Sequence, residues 1–591
     1  MKLLSGNEAL ARGAYEAGVR VAVAYPGTPS TEILENIARH YPDIYAEWAP
    51  NEKVALEVAI GASLGGARAL VAMKHVGVNV AADPLLTLAY TGVNAGLVLV
   101  SADDPGMHSS QNEQDNRFYG RFAQIPLLEP ADSQEAKDFV RLALEISETF
   151  DTPVMLRTTT RVAHSKSLVR EEKPAAPPAK PYRKDFTKYV MVPANARLRH
   201  ATVEERREKL REFAAHTPIN RIEPAGDPRV GIITSGVAYC YVKEAFPWAS
   251  VLKLGLSYPL PVTLVRTFAS QVENLYIVEE LEPFLEEQVA AVGIPVRGKA
   301  LLPRTGELSP ALVAQALHQD AAFATVAREY APPPAPTPEP PALPLRPPVL
   351  CPGCPHRGLF YVLKSLKLNV MGDIGCYTLG SLPPLAAMDT CICMGAGIGM
   401  AHGMSKARPD SAARTVAVIG DSTFIHSGIT GLIDIVYNQG VSTVIIADNR
   451  TTAMTGHQDH PGTGQTARGE PTKALNFAKL ARAVGVTRVK VVDPLDLTTT
   501  RKAIQRALKM PAPAVVVASR PCVLLSRPAP APVPVRPDAC RGCKRCLQLG
   551  CPALSLPAGR VAVNPHLCVG CGLCAQVCPY GAIGKGDGQV G

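Results

Sequence analysis

"TVAVIGDSTFIHSGITGLIDIVYNQGVSTVIIADNRTTAMTGH", residues 415–457, decides the fold. An apolar run stops at Gly420-Asp421, an amphipathic stretch follows, and a second apolar run stops at Asp448-Asn449. Two short apolar runs around a helical period read as parallel strands joined by a crossover helix. Asp421 and Asn449 then stand at the carboxyl ends of neighbouring strands, where open α/β sheets bind ligands. A carboxylate and an amide oxygen there suit a hard cation such as Mg²⁺, which takes octahedral oxygen ligands and often some from a bound phosphate. Gly420 would let the backbone approach a ligand. A helix starting near Ser427 would aim its N-terminus at a diphosphate. An N-capping Asp and a turn Asn explain the same residues without any ligand. Just upstream, "ICMGAGIGMAHG", residues 392–403, reads as a glycine-rich turn feeding a helix. Its spacing around Gly395 is GxGxG, not the GxGxxG of a dinucleotide site, and no strand and later acid frame it.

The same alternation extends outward. Residues 1–165 carry "VRVAVAYPG", "ALVAMKH" and "AGLVLVSADD" between helical periods, and residues 226–328 carry "RVGIITSG", "SVLKLGL" and "NLYIVEE". Residues 350–525 contain the opening stretch and "PAVVVAS". Proline-rich segments at 171–184, 331–348 and 527–538 favour extended chain. The expected organisation is therefore four globular pieces: 1–165, 226–328, 350–525 and 538–591. Residues 166–225 read as linker and surface segment, and 329–349 and 526–537 as linkers. The 591 residues suit about three to five domains. A charge of +9 is mild over that length, and blocks such as "EERREKLRE" are mixed in sign, so no nucleic acid is expected. No apolar run reaches the ~18 residues of a membrane span, and the N-terminus lacks a signal peptide's apolar core. The expected location is cytoplasmic, where disulfides are rare, so the 15 cysteines need another explanation.

Eight of those cysteines lie between 540 and 578. Cys540, Cys543, Cys546 and Cys551 form C-x2-C-x2-C-x4-C-P, and Cys568, Cys571, Cys574 and Cys578 form C-x2-C-x2-C-x3-C-P. The pair of runs resembles a bacterial two-cluster ferredoxin, in which the fourth cysteine of each run ligates the other cluster. By that resemblance one [4Fe–4S] cluster takes Cys540, Cys543, Cys546 and Cys578, and the second takes Cys568, Cys571, Cys574 and Cys551. The extra residue before Cys551 departs from the common spacing. Zinc is the alternative for any single CxxC pair.

Gly420-Asp421-Ser422 followed by Asp448-Asn449 resembles the thiamine-diphosphate signature GDG…NN, with Ser422 and Asp448 as departures. The resemblance makes Asp421 and Asn449 ligands of Mg²⁺, adds the carbonyl of Thr451, and turns the loop at Gly395 into a cofactor wall. A thiamine enzyme also needs a carboxyl group on the cofactor's pyrimidine, acting as acid/base from a dry site. In "APNEKVALEVAIGASLGGARA", Asn51-Glu52 resembles the pyrimidine-domain glutamate motif; Glu57 is the competitor.

Thiamine chemistry beside iron–sulfur clusters implies oxidative decarboxylation of a 2-oxo acid with electrons removed singly. "YPGTPSTEI", "MKHVGVNVAADP", "SADDPGMHSSQNEQDNR", "CPGCPHRG", "GDSTFIHSGITGL" and "DNRTTAMTGHQDHPGTG" occur in that order before the cysteine tail. Together they resemble the large (alpha) subunits of indolepyruvate:ferredoxin oxidoreductases over nearly the whole chain. The resemblance implies an α/β fold of several doubly wound parallel-sheet domains. Two would bind thiamine diphosphate, one would be transketolase-C-terminal-like, and a small α+β two-cluster ferredoxin domain would end the chain. It implies conversion of arylpyruvates with CoA to aryl-acetyl-CoA and CO₂, a smaller beta subunit, ferredoxin as acceptor and a dimer of alpha–beta units. A related enzyme for another 2-oxo acid, a non-oxidative thiamine decarboxylase and a pure electron-transfer subunit remain alternatives. Thr28 and Ser30 are candidates for the substrate carboxylate, or simple turn residues. His75 and His457 are candidate proton donors, and Arg117 a candidate for an acidic group or a surface residue. Residues 103–106 read as a turn. Cys351, Cys354, Cys376 and Cys522 resemble the elements that hold a proximal third cluster in related pyruvate oxidoreductases; a tight turn and buried thiols are the alternative. Cys240, Cys391 and Cys393 are expected in the core.

Overall fold

The runs VAVA, ALVAMK, LVLVSAD and VMLRTT become strands buried almost throughout, as parallel strands covered on both faces must be. The computed structural model describes residues 1–175, 177–330, 343–344, 346–525 and 531–584. It divides into two units, Met1–Pro341 and Ala342–Gly591. Most of the proline-rich segments expected as linkers at 329–349 and 526–537 falls outside the described residues: 331–342, 345 and 526–530.

The first unit holds a seven-stranded sheet in the order Leu256–Tyr258, Leu127–Leu128, Val154–Thr159, Leu97–Asp103, Ala69–Lys74, Val21–Ala24, Tyr45–Trp48. All neighbours are parallel except Leu256–Tyr258 on Leu127–Leu128. A second sheet runs Asn274–Val278, Val230–Ser235, Ser250–Leu254, Asn220–Glu223, the last strand antiparallel. The chain steps from Ser250–Leu254 directly into the larger sheet at Leu256–Tyr258. The two sheets therefore share chain and a hydrophobic core, which includes Leu99, Leu127, Ile233, Leu252, Phe268 and Phe284.

Residues 166–225, expected as linker and surface segment, are tied to the rest of the first unit. Lys166–Val169 pairs with Lys2–Ser5. The helix Pro193–His216 buries Val203, Leu210 and Ala214, and its Arg206 donates to the carbonyls of Asp151 and Ala89. Even the proline-rich stretch is tied down, by Ala175 N–H on the Glu16 carbonyl and Lys180 N–H on the Gly66 carbonyl. These apolar positions are spaced too widely along a charged helix to stand out in sequence.

The second unit is built on a five-stranded parallel sheet: Asn369–Met371, Thr415–Gly420, Thr443–Asp448, Ala514–Ser519, Arg488–Val492. The cysteine tail adds a two-stranded antiparallel ribbon and the short helix Leu573–Val577. The tail does not swing from its linker. Leu549, Leu573, Cys574 and Ile583 share one core with Leu359, Leu363 and Ile504. Gly353, at φ +74°, fits because a methyl there would meet a Val569 methyl at 2.3 Å. No described helix is long and apolar enough to cross a membrane.

Candidate functional site

The opening stretch folds as two strand-to-helix junctions side by side. Thr415–Gly420 and Thr443–Asp448 are neighbours, with Gly420 opposite Ala447, so Asp421 and Asn449 emerge at the same sheet end. The helix begins at Asp421, not near Ser427, and passes through a wider turn at Phe424–Gly428 before Ile429–Tyr437. Gly420 is required by packing: a methyl there would sit 2.7 Å from the Tyr377 ring.

At this corner the side-chain amide of Asn449 lies 3.1 Å from both Asp421 Oδ1 and the Thr451 carbonyl oxygen. With its oxygen inward, three oxygens face one another with no donor between them, the arrangement a hard cation fills. Turned about, the amide would donate to both. Asp448 adds a second buried carboxylate, held up at about 6 by burial and by the charge of Asp421. It accepts from Ser519 Oγ at 2.6 Å. His460 Nε2 stands 3.3 Å from Asp421 Oδ2; burial raises the Asp421 carboxyl, but His460, the Ser422 N–H and Asp448 together hold it low. Ser422 accepts from Thr452 Oγ1 at 3.1 Å. Two buried like charges beside two neutral oxygens fit a divalent cation.

The glycine loop is fixed by a residue that sequence reasoning missed. Asp373 is buried, and its carboxylate accepts from the backbone N–H of Gly395 at 3.0 Å, Gly397 at 3.1 Å and Ile374 at 2.9 Å. Burial still pushes it up to about 6. Gly395, at φ +92°, caps the helix Ala396–Ala407, and a methyl on it would meet Ser427 Cβ at 2.5 Å. Thr423 Oγ1 donates to the Ile374 carbonyl at 3.0 Å. The Asp373 turn, the glycine loop and the Asp421 turn thus interlock. The signal was present: Gly372-Asp373 ends a strand as Gly420-Asp421 does.

In the first unit, Asn51 caps the helix Glu52–Leu64 by accepting from Val54 N–H, which puts Glu52 on its first turn. Glu52 is buried, whereas Glu57 is exposed and lies 3.7 Å from Lys53. A methyl on Gly77 would sit 2.6 Å from Glu52 Oε1, so the carboxyl group lies against the helix His75–Val80. His75 is fully buried, with Nε2 3.3 Å from the Asn112 carbonyl and Nδ1 without a partner; burial lowers its pKa. Lys74, overlooked in the sequence, is 8% exposed and donates to the Ser109 carbonyl at 2.7 Å. Burial pulls it down to about 8 despite Asp104. Its stem packs on Gly27, in the turn that carries half-buried Thr28.

Ser30 and Arg117 are occupied. Ser30 Oγ donates to the Gly27 carbonyl. Arg117 is neither a surface residue nor open to a ligand: it is fully buried on Asp115 and Glu279 and on the carbonyls of Glu280 and Glu282. Asp103 ends a strand and pairs with Arg157, and the turn begins at Asp104.

Among the described residues no three His, Cys, Asp or Glu side chains converge on a single ion. The tail cysteines instead ring cavities, as a cuboidal cluster with thiolates on separate corners requires. Cys540, Cys543, Cys546 and Cys578 line one, and Cys551, Cys568, Cys571 and Cys574 line another. The fourth cysteine of each run is thus grouped with the first three of the other. Burial and then the neighbouring thiols of Cys571, Cys551 and Cys568 push Cys574 up to about 12. Cys354 is likewise raised to about 12 by burial, with Cys351 and Cys376 adjacent. Cys376 is raised to about 11 by burial, with Cys522 and Cys351 adjacent. His457 Nε2 is 3.8 Å from Cys522 Sγ. Cys240 and Cys391 are half-buried and Cys393 is exposed, so none of the three is a core residue.

Family models match along the chain. "Pyruvate flavodoxin/ferredoxin oxidoreductase, thiamine diP-bdg" matches residues 12–219, and "Thiamine pyrophosphate enzyme, C-terminal TPP binding domain" matches 373–518. "4Fe-4S binding domain" matches 561–584, the second cysteine run. Indolepyruvate oxidoreductase subunit IorA of Pyrococcus abyssi is 43% identical over 99% of this chain and 96% of its own. The subunit of the same name from Methanothermobacter marburgensis is 43% identical over 99% and 97%, and that of Pyrococcus horikoshii 42% over 99% and 96%. Likeness at this level over both chains, on a fold with these three α/β sheets and this cysteine tail, decides the relationship: the chain belongs to the IorA family of indolepyruvate oxidoreductase subunits, within the thiamine-diphosphate-dependent 2-oxoacid:ferredoxin oxidoreductases.

Proposed function

We propose that the protein oxidatively decarboxylates arylpyruvates, indolepyruvate among them, with CoA to aryl-acetyl-CoA, passing electrons through [4Fe–4S] clusters to ferredoxin. It would act with a smaller subunit, as a dimer of such pairs. The observation that carries the reading is the coexistence in one unit of the oxygen corner at Asp421 and two four-cysteine cavities. The name borne by the full-length relatives supports the substrate class.

Thiamine diphosphate, when bound, supplies the nucleophilic carbon and electron sink that decarboxylation of a 2-oxo acid needs, and the clusters supply one-electron acceptors. Asp421, the Asn449 amide oxygen and the Thr451 carbonyl would hold Mg²⁺ and through it the diphosphate. Asp373 keeps the glycine loop in place beside them. Glu52, dry and on a helix N-terminus, would hold and move the proton at the aminopyrimidine. Thr28 and the Lys74 ammonium would receive the substrate carboxylate, and His75 and His457 are the candidate proton donors. Cys540, Cys543, Cys546 and Cys578 would hold one cluster, and Cys568, Cys571, Cys574 and Cys551 the second. Cys351, Cys354, Cys376 and Cys522 would hold a third, a reading supported by the influence their thiols exert on one another.

An anaerobic assay of the two-subunit enzyme tests the substrate class. Indolepyruvate, phenylpyruvate and 4-hydroxyphenylpyruvate should each reduce ferredoxin with a higher kcat/KM than pyruvate. Equal or faster turnover of pyruvate would reassign the enzyme to another 2-oxo acid.

A further inference from the structure

Arg357 sits on the helix Pro355–Ser365 and is 2% exposed. Its Nη1 donates to the Leu549 carbonyl at 2.6 Å, and its Nη2 to the carbonyls of Leu350 and, at 3.1 Å, Cys351. Among the described residues its buried Nε has no partner. Among the described residues no carboxylate is bonded to it; the acidic groups that act on it are the thiols of Cys551, Cys354, Cys571 and Cys351. Arg357 also lines the cavity ringed by Cys551, Cys568, Cys571 and Cys574. Burial pulls its pKa down and those thiols push it back. An unpaired buried guanidinium is strongly disfavoured. Three backbone carbonyls accept from its Nη groups but supply no counter-charge.

We propose that Arg357 is the counter-ion of the cysteine cage it lines, and that it raises the reduction potential of the [4Fe–4S] cluster on Cys551, Cys568, Cys571 and Cys574. The proposal rests on the cluster assignment above. A cluster gains one negative charge on reduction, and a fixed cation in a low-dielectric interior stabilises that reduced form. The rigid fork of Arg reaches carbonyls on both sides, which a lysine ammonium cannot do at once.

Redox titration followed by electron paramagnetic resonance, on the anaerobically purified full chain, tests it. Arg357→Gln should keep the wild-type iron content and move one tail cluster to a more negative potential. The cluster on Cys540, Cys543, Cys546 and Cys578 should stay in place, and Arg357→Lys should lie between wild type and Gln. Unchanged potentials in Arg357→Gln would overturn the proposal. If that variant loses iron, Arg357→His carries the test within one protein. Its cluster potential should fall more steeply than wild type as pH rises through the imidazole's ordinary pKa of about 6.5, and equal slopes would overturn the idea. A Cys551→Ser chain with undiminished iron would instead overturn the cluster assignment, and is seen without touching Arg357.

Discussion

Replacing Gly395 with Ala should damage the cofactor site while leaving the fold standing, and the cost can be worked from two features. At φ +92° the residue lies in the left-handed region, where a β-carbon costs about 1–2 kcal/mol. That carbon would also stand 2.5 Å from Ser427 Cβ, whereas carbons in contact rest about 3.5–4.0 Å apart. Relieving an overlap of ~1 Å in a packed site costs about 1–3 kcal/mol more. The sum, about 2–5 kcal/mol, is below the ~5–15 kcal/mol that holds a typical domain. The loop can escape only by pulling Gly395 and Gly397 off Asp373. The energy therefore appears either as lost stability, with the loop in place, or as lost affinity, with the loop displaced. At ~1.4 kcal/mol per decade, full expression as affinity is a weakening of about thirtyfold to a few thousandfold. Calorimetric titration of the apo-protein with thiamine diphosphate and Mg²⁺, beside thermal melting, reads both. Gly399→Ala on the same helix is the control, since a methyl there meets nothing within 4 Å; it should keep affinity and gain about 0.5–1 kcal/mol of helix stability. Wild-type affinity and melting temperature in Gly395→Ala would refute the reasoning.

Asp421→Ala should weaken Mg²⁺-dependent thiamine diphosphate binding by about a hundredfold or more, measured by the same titration, without unfolding the chain. Glu52→Gln should bind the cofactor yet slow hydrogen exchange at its C2 by orders of magnitude, as the amide cannot carry the proton; a wild-type exchange rate would remove Glu52 from the role. Lys74 is held at about 8, below its usual 10.5, so its buried charge destabilises the fold fully below about pH 8. That penalty fades as pH rises towards the unfolded value. Lys74→Met should therefore stabilise the protein at pH 7 by up to about 3 kcal/mol in denaturant titrations while raising KM for the 2-oxo acid. Cys376→Ser in the full chain should lower iron from about twelve to about eight per chain; an unchanged value would leave the four inner cysteines structural.

The α/β architecture was legible because strands such as Thr415–Gly420 and Leu97–Asp103 are continuous apolar runs ended by Asp or Gly at the ligand edge. Asp421 and Asn449 stood out because each ends an apolar run, and the cysteine grouping came from the resemblance to two-cluster ferredoxins. The bounds of the piece expected at 226–328 were not: Asn220–Glu223 is a polar edge strand, and Leu256–Tyr258 joins the larger sheet with one residue between it and Leu254. Asp373 carried the right dipeptide, but its strand is three residues long and its partners are backbone amides of a loop twenty residues on. Arg117 looked like a ligand-binding residue in a polar stretch. Its partner Glu279 lies in a different sheet domain, and only the packed structure shows the guanidinium already paired. Lys74 and Arg357 gave no signal, since burial of a lone cation is a property of the assembled fold.

The claim that thiamine chemistry and the clusters form one electron path is tested most directly by anaerobic rapid mixing of the loaded two-subunit enzyme with indolepyruvate and CoA, without ferredoxin, while the clusters' visible absorbance is followed. The account predicts bleaching, coupled to release of CO₂, that Glu52→Gln abolishes. Release of CO₂ with no bleaching of the clusters would contradict it and leave a non-oxidative decarboxylase carrying an unconnected ferredoxin tail.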